Sequence, residues 1–189
     1  KKLNKEQYRS SKLHMRAKEQ EGKRYIEGYF IVFDTRTELW PGYFEEIKKE
    51  ALDGQLEQDI RALADHDTAK VLGRTKNGTL ELGIDDKGVY GKIEINEYDA
   101  EAVNLHERVK RGDIDQCSFG FFIDKSEVEY LDDGSMLERI TGLTLLEVSV
   151  VTFPAYETTS VSARKKSFEE DKKRALKAWK KKLKERLKK

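Results

Sequence analysis

Gln116-Cys117-Ser118-Phe119-Gly120-Phe121-Phe122 is the one place where a serine sits inside a strongly apolar run of strand-forming residues. Successive side chains of a strand point to opposite faces, so Cys117, Phe119, Phe121 and Ile123 share one face and form candidate core. Ser118, Gly120 and Phe122 share the other. Gly120 removes the side chain next to Ser118, which leaves a hydroxyl beside a gap that another group can enter. Taken alone, a strand serine is most simply a residue bonded to a neighbouring carbonyl. Its company elsewhere in the chain, chiefly His66 and Glu147, gives it a second meaning.

Charge divides the chain. Of the 37 Lys/Arg and 36 Asp/Glu in 189 residues, 14 basic and 4 acidic fall in residues 164–189, a net of +10 there against −9 for the remainder. Within that tail Phe168, Leu176, Trp179, Leu183 and Leu187 recur at helical spacing, which predicts a basic amphipathic helix. Such a helix docks on an acidic partner, on an acidic surface of another copy (a homo-oligomer), or simply stays solvated. Nucleic acid is not expected, because no base-reading or phosphate-cradling motif accompanies the charge. A single cysteine, Cys117, allows no intrachain disulfide. No Cys/His cluster has zinc spacing, so neither metal nor cofactor is expected. No apolar run approaches the ~20 residues of a membrane span, and no apolar signal-peptide core opens the chain. A protein made and used in cytoplasm, away from membranes, is the expectation.

Residues 1–22 are polar and lysine-rich and read as an N-terminal arm, loose or with a weak strand around residues 12–16. Residues 25–33 are aromatic and β-branched enough for a strand buried on both faces. Pro41-Gly42 punctuates a turn-like stretch, followed by a strand and short helix before Gly54. A weakly alternating segment, 59–64, runs into Asp65-His66-Asp67, and Val71-Leu72-Gly73-Arg74 is a short strand. Residues 79–84 and 89–95 form a hairpin around Asp85-Asp86-Lys87-Gly88. Asn96-Glu97-Tyr98-Asp99 opens a helix that Gly112 closes. After the Ser118 strand come a turn at Asp132-Asp133-Gly134, a return strand over 137–141, and a strong strand over 143–153 stopped by Pro154. Many strands with two short helices predict a mainly β (α+β) fold, a closed β-barrel with a few flanking helices. The division is an arm at 1–22, a barrel domain at 23–163 and the basic amphipathic C-terminal helix at 164–189.

Two further polar residues occupy unusual places. His66 closes a short strand between two aspartates; a free imidazole titrates near pH 6.5 and suits general-base work. His14 lies in the arm and His106 on the apolar stripe of a helix. Glu147 interrupts Leu145-Leu146-Glu147-Val148-Ser149-Val150-Val151, where a carboxylate is costly unless solvated or partnered. By alternation Leu143, Leu145, Glu147, Ser149 and Val151 share one face. Serine, histidine and carboxylate together are the parts of an activated nucleophile: a base takes the hydroxyl proton and a third group orients the base. Using Cys117 as nucleophile instead is weakened by its place on the apolar face.

Four runs, Leu63-Ala64-Asp65-His66-Asp67, Val71-Leu72-Gly73-Arg74, 111–121 around Cys117-Ser118-Phe119-Gly120, and Leu146-Glu147-Val148-Ser149-Val150-Val151-Thr152-Phe153-Pro154-Ala155, resemble the prohead maturation proteases of tailed bacteriophages, over roughly residues 24–163. The resemblance implies a serine protease related in fold to the herpesvirus assembly protease, with His66 as base, Ser118 as nucleophile and Glu147 as third member. The family often has Asn before the histidine, whereas this chain has Asp65, a minor rival for orienting the ring. The resemblance further implies an enzyme packaged in the immature capsid in the host cytoplasm. Its substrates would be scaffold or scaffold-like segments of the major capsid protein, and itself. An oxyanion donor is expected from the N–H of Ala155 or Tyr156, after the Glu147 strand. The competing reading is a non-catalytic scaffold-binding module on the same barrel.

Overall fold

The computed structural model describes residues 5–11 and 13–153. The proposed C-terminal helix at 164–189 and the oxyanion candidates Ala155 and Tyr156 lie outside the described residues. Within them the protein is mainly β, with eleven strands and one α-helix. The strands are β1 (Gln7–Ser11), β2 (Arg16–Gln20), β3 (Lys23–Val32), β4 (Thr37–Trp40), β5 (Tyr43–Ile47), β6 (Arg61–Ala64), β7 (Asp67–Arg74), β8 (Leu80–Ile84), β9 (Gly88–Glu94), β10 (Gln116–Tyr130) and β11 (Met136–Val151). The helix, α1 (Ala100–Arg111), starts where the Asp99 carboxylate accepts the Glu101 and Ala102 N–H groups and ends at Gly112, whose φ of 87° closes it.

The expected closed barrel is not found among the described residues. Instead there are two sheets. One carries seven strands in the order β1-β10-β11-β5-β4, with β6 also on β11 and β7 on β6; the other runs β2-β3-β9-β8. The reason lies in β11. It pairs antiparallel with β10, and along its other edge it pairs in parallel with β5 through residues 136–140 and with β6 through 147–150. Two short strands thus share one side of a 16-residue strand, and the sheet branches rather than closing on itself. A single core lies between the sheets, built from Ile26, Phe30 and Ile31 of β3, Ile93 of β9, Phe119 and Phe121 of β10 and Val148 and Val150 of β11, with Leu105 and Val109 of α1.

A second correction concerns residues 1–22. They supply two strands, β1 as an edge of the large sheet against β10 and β2 as an edge of the small one against β3. Their pattern hides them because the buried side chains of β1 are polar: Gln7 and Arg9 are both buried. The Arg9 guanidinium passes over the Phe121 ring at 5.7 Å and donates twice to the Glu45 carboxylate of β5, at 2.6 and 2.9 Å. Removing one partner of a buried pair deprives the other of its charge-assisted bonds. Arg9→Met is therefore expected to lower unfolding stability by about 3 kcal/mol, read from the urea midpoint. A loss within a few tenths would show that the Arg9–Glu45 pair contributes little net stability.

The third correction concerns faces. Gly120 pairs with Glu147 but Phe121 pairs with Leu145, so Leu146 is an extra residue in β11. A bulge of this kind breaks the two-residue period. Leu143 and Leu145 enter the core before it, Val148 and Val150 after it. Glu147 and Ser149 are thereby turned away from the side taken by Leu143 and Leu145.

Candidate active site

His66 stands at the tip of the β6–β7 hairpin, where Ala64 pairs with Asp67 and the two residues between them have φ of 50° (Asp65) and 59° (His66). Two consecutive positive φ values make a tight hairpin turn of the kind usually filled by Asn-Gly. For a residue carrying Cβ this backbone costs about 1 kcal/mol or more, and it holds only where neighbours impose it. Here β11 imposes it. The Asp65 N–H donates to the Val150 carbonyl at 2.9 Å, and the His66 N–H to Ser149 Oγ at 3.3 Å.

The turn lays the imidazole across the large sheet, with the two other candidates on adjacent strands beneath it. Ser118 on β10 is in register with Ser149, and Gly120 with Glu147. His66 Nδ1 lies 2.7 Å from Glu147 Oε1, and His66 Nε2 lies 2.9 Å from Ser118 Oγ. A neutral ring whose Nδ1–H donates to the carboxylate keeps its Nε2 lone pair for the serine proton. Gly120 is what admits this arrangement. A Cβ there would sit 2.6 Å from Glu147 Oε1 and 3.2 Å from Tyr8 Cε1. The gap visible in the sequence is the space into which the carboxylate and the Tyr8 ring pack.

Two contacts from β1 were not legible in the sequence. The Tyr8 ring lies against the imidazole with centroids 4.3 Å apart. Burial, then the Glu6 carboxylate, then the Glu147 charge push its phenol well above the usual tyrosine range, so it stays a neutral cover over the histidine. The Arg9 carbonyl lies 2.9 Å from Ser118 Oγ and can accept its hydrogen. One hydroxyl proton cannot serve both this carbonyl and the imidazole. Ser118 is fully buried.

Asp65 does not face the imidazole with its carboxylate. Its oxygens accept the Thr152 N–H at 2.6 Å and the Thr152 hydroxyl at 3.1 Å. Asp67 accepts the Ala69 N–H at 2.9 Å. Cys117 is fully buried in the core with its Sγ 3.1 Å from the Tyr29 carbonyl, away from the imidazole. His106 is buried on α1, and His14 pairs with Asp115 at 2.6 Å. Among the described residues no helix is long and apolar enough to cross a membrane.

This strand-borne serine, the turn histidine and the strand glutamate fall inside a region, residues 11–174, that matches the profile of the caudovirus prohead serine proteases, and the chain belongs to that family. A prohead protease of Enterobacteria phage HK97 is 28% identical over 151 residues, covering 77% of this chain. The chain spans 62% of the length of that relative. No solved structure matches the chain.

Proposed function

We propose that the chain is a serine endopeptidase of phage prohead maturation that cleaves scaffold or scaffold-like segments of the capsid protein, and itself, inside the assembling procapsid in the host cytoplasm. The observation that carries this reading is the series Ser118 Oγ, His66 Nε2, His66 Nδ1 and Glu147 Oε1, linked at 2.9 and 2.7 Å. In it His66 takes the Ser118 proton as Oγ bonds to the scissile carbonyl carbon. The imidazolium so formed lies against the Glu147 carboxylate, then passes the proton to the leaving amine as the peptide C–N bond breaks. Water, deprotonated by the same ring, releases the acyl group from Ser118.

The oxygen that becomes negative in the tetrahedral intermediate is assigned to the N–H groups of Ala155 and Tyr156. The supporting observation is the Asp65–Thr152 link, which anchors the start of that segment to the histidine turn. Preorganised donors of this kind contribute about 3 kcal/mol to the transition state. The basic segment 164–189 is assigned to delivery, by attraction to an acidic scaffold or another copy.

The test is the intact mass of the full chain after incubation, beside Ser118→Ala, with capsid-protein segments added as substrate. Trimming and cleavage in the wild type alone support the reading. Constant mass and uncut segments in both would replace it by a non-catalytic scaffold-binding module. The carboxylate has its own test in Gly120→Ala. The new methyl meets the far end of the Glu147 side chain, so the fold is expected to survive while the carboxylate is displaced from the imidazole. Misplacement by about 1 Å costs on the order of 100-fold in rate, and peptide turnover with circular dichroism measures both. Wild-type turnover in this variant would remove Glu147 from the reaction.

A further inference from the structure

Glu147 has two oxygens, and only Oε1 faces the imidazole. Oε2 lies 2.5 Å from the hydroxyl of Ser149, a residue with no exposed surface. The same Oγ receives the His66 backbone N–H at 3.3 Å. A hydroxyl has one proton and two lone pairs, so Ser149 can donate to the carboxylate and accept from the turn at once. Without it, the buried Oε2 would lack this donor, and the carboxylate would lose a restraint on rotation about its last torsion. The His66 N–H in its positive-φ turn would also lose an acceptor. The side chain sits under the carboxylate and the turn, directly across from Ser118 in register.

From this placement we infer that Ser149 is a fourth member of the site, a positioning residue that locks the Glu147 carboxylate and the His66 turn to each other. The inference rests on the proposed roles of Ser118, His66 and Glu147. Ser149 touches no reacting atom; it sets the angle at which Oε1 meets Nδ1–H. Being buried beneath the site, it has no direct part in holding substrate, so its loss should appear in kcat and leave KM unchanged.

The experiment uses the full chain as wild type, Ser149→Ala and His66→Ala. One readout is turnover of a peptide spanning the self-cleavage site found by mass. The other is the proton spectrum, in which a histidine N–H held by a carboxylate resonates far downfield. The wild type is expected to show such a signal and His66→Ala to lack it. Ser149→Ala, with an unchanged circular dichroism spectrum, should lose or broaden the signal and lose 10- to 100-fold in kcat, with KM within twofold. A Ser149→Ala protein that keeps both the signal and kcat overturns the proposal while leaving the three-residue site intact. A wild type with neither signal nor turnover overturns the proposal from beneath, because the histidine–glutamate pairing itself has failed.

Discussion

Ser118→Ala is expected to abolish self-trimming and to lower peptide turnover by a factor on the order of 10⁴ or more, the scale seen when a nucleophile of this kind is removed. The fold should persist. The substitution removes one oxygen from a fully buried position and creates no clash, while Cys117, Phe119 and Phe121, which carry the core on that strand, are untouched. The structural cost is the bond from Ser118 Oγ to the Arg9 carbonyl, about 1 kcal/mol, visible as a small fall in melting temperature. Kinetics and melting on one preparation separate the two effects. Turnover near that of the wild type would end the serine mechanism. A variant that fails to fold would instead show that the hydroxyl is chiefly a bond between β1 and β10.

The second large effect belongs to His66. His66→Ala is expected to lose activity on the same scale as Ser118→Ala, and the double variant to be hardly worse than either. Groups that act in one proton transfer are not additive: once the base is gone, the nucleophile has nothing left to contribute through it. His66 also sits at φ 59°, where alanine has no easier backbone, so the turn has to be held by the Asp65 N–H to Val150 and the Asp65–Thr152 contacts. Rate constants for both single variants and the double, on one peptide, give the cycle. Losses that multiply would place Ser118 and His66 in different steps.

How much of this was legible in the sequence depends on whether a feature is local. The Gly112 stop and the β8–β9 hairpin are decided within a few residues and are legible locally. The helix start was legible only to within a turn: the Asn96-Glu97-Tyr98-Asp99 box puts the cap at Asn96, and Asp99 is the residue that caps it. The serine, histidine and glutamate could be picked out because each violates the pattern of its own segment. Residue spacing could not show that they meet: that depends on the register of β10, β11 and β6, set by long-range pairing. The bulge at Leu146 was invisible too, since it arises from how β11 accommodates β10, and alternation drawn through it assigned Glu147 to the wrong companions. β1 escaped for the opposite reason. Its inward residues, Gln7 and Arg9, are polar, the first bonded to the nearby Lys5 carbonyl and the second to Glu45 far along the chain, so the strand leaves no apolar signature. Where the branched sheet departs from the expected barrel, the cause is one long strand accepting two short ones along a single edge.

That long strand also governs timing. β11 lies at the centre of the large sheet, yet it is the last described strand to leave the ribosome. Everything upstream can be synthesised, and the β8–β9 hairpin and α1 can form, while β5, β6 and β10 still lack the strand that joins them. Until residues 136–151 are in place the acid has no position, the histidine turn has no anchor at Val150 and Ser149, and the serine has no completed neighbour. Long-range pairing of this sort comes late in folding because distant segments must meet before any contact rewards them. Under the function proposed above this is a built-in delay: serine, histidine and glutamate cannot act together before the chain has been made as far as Val151.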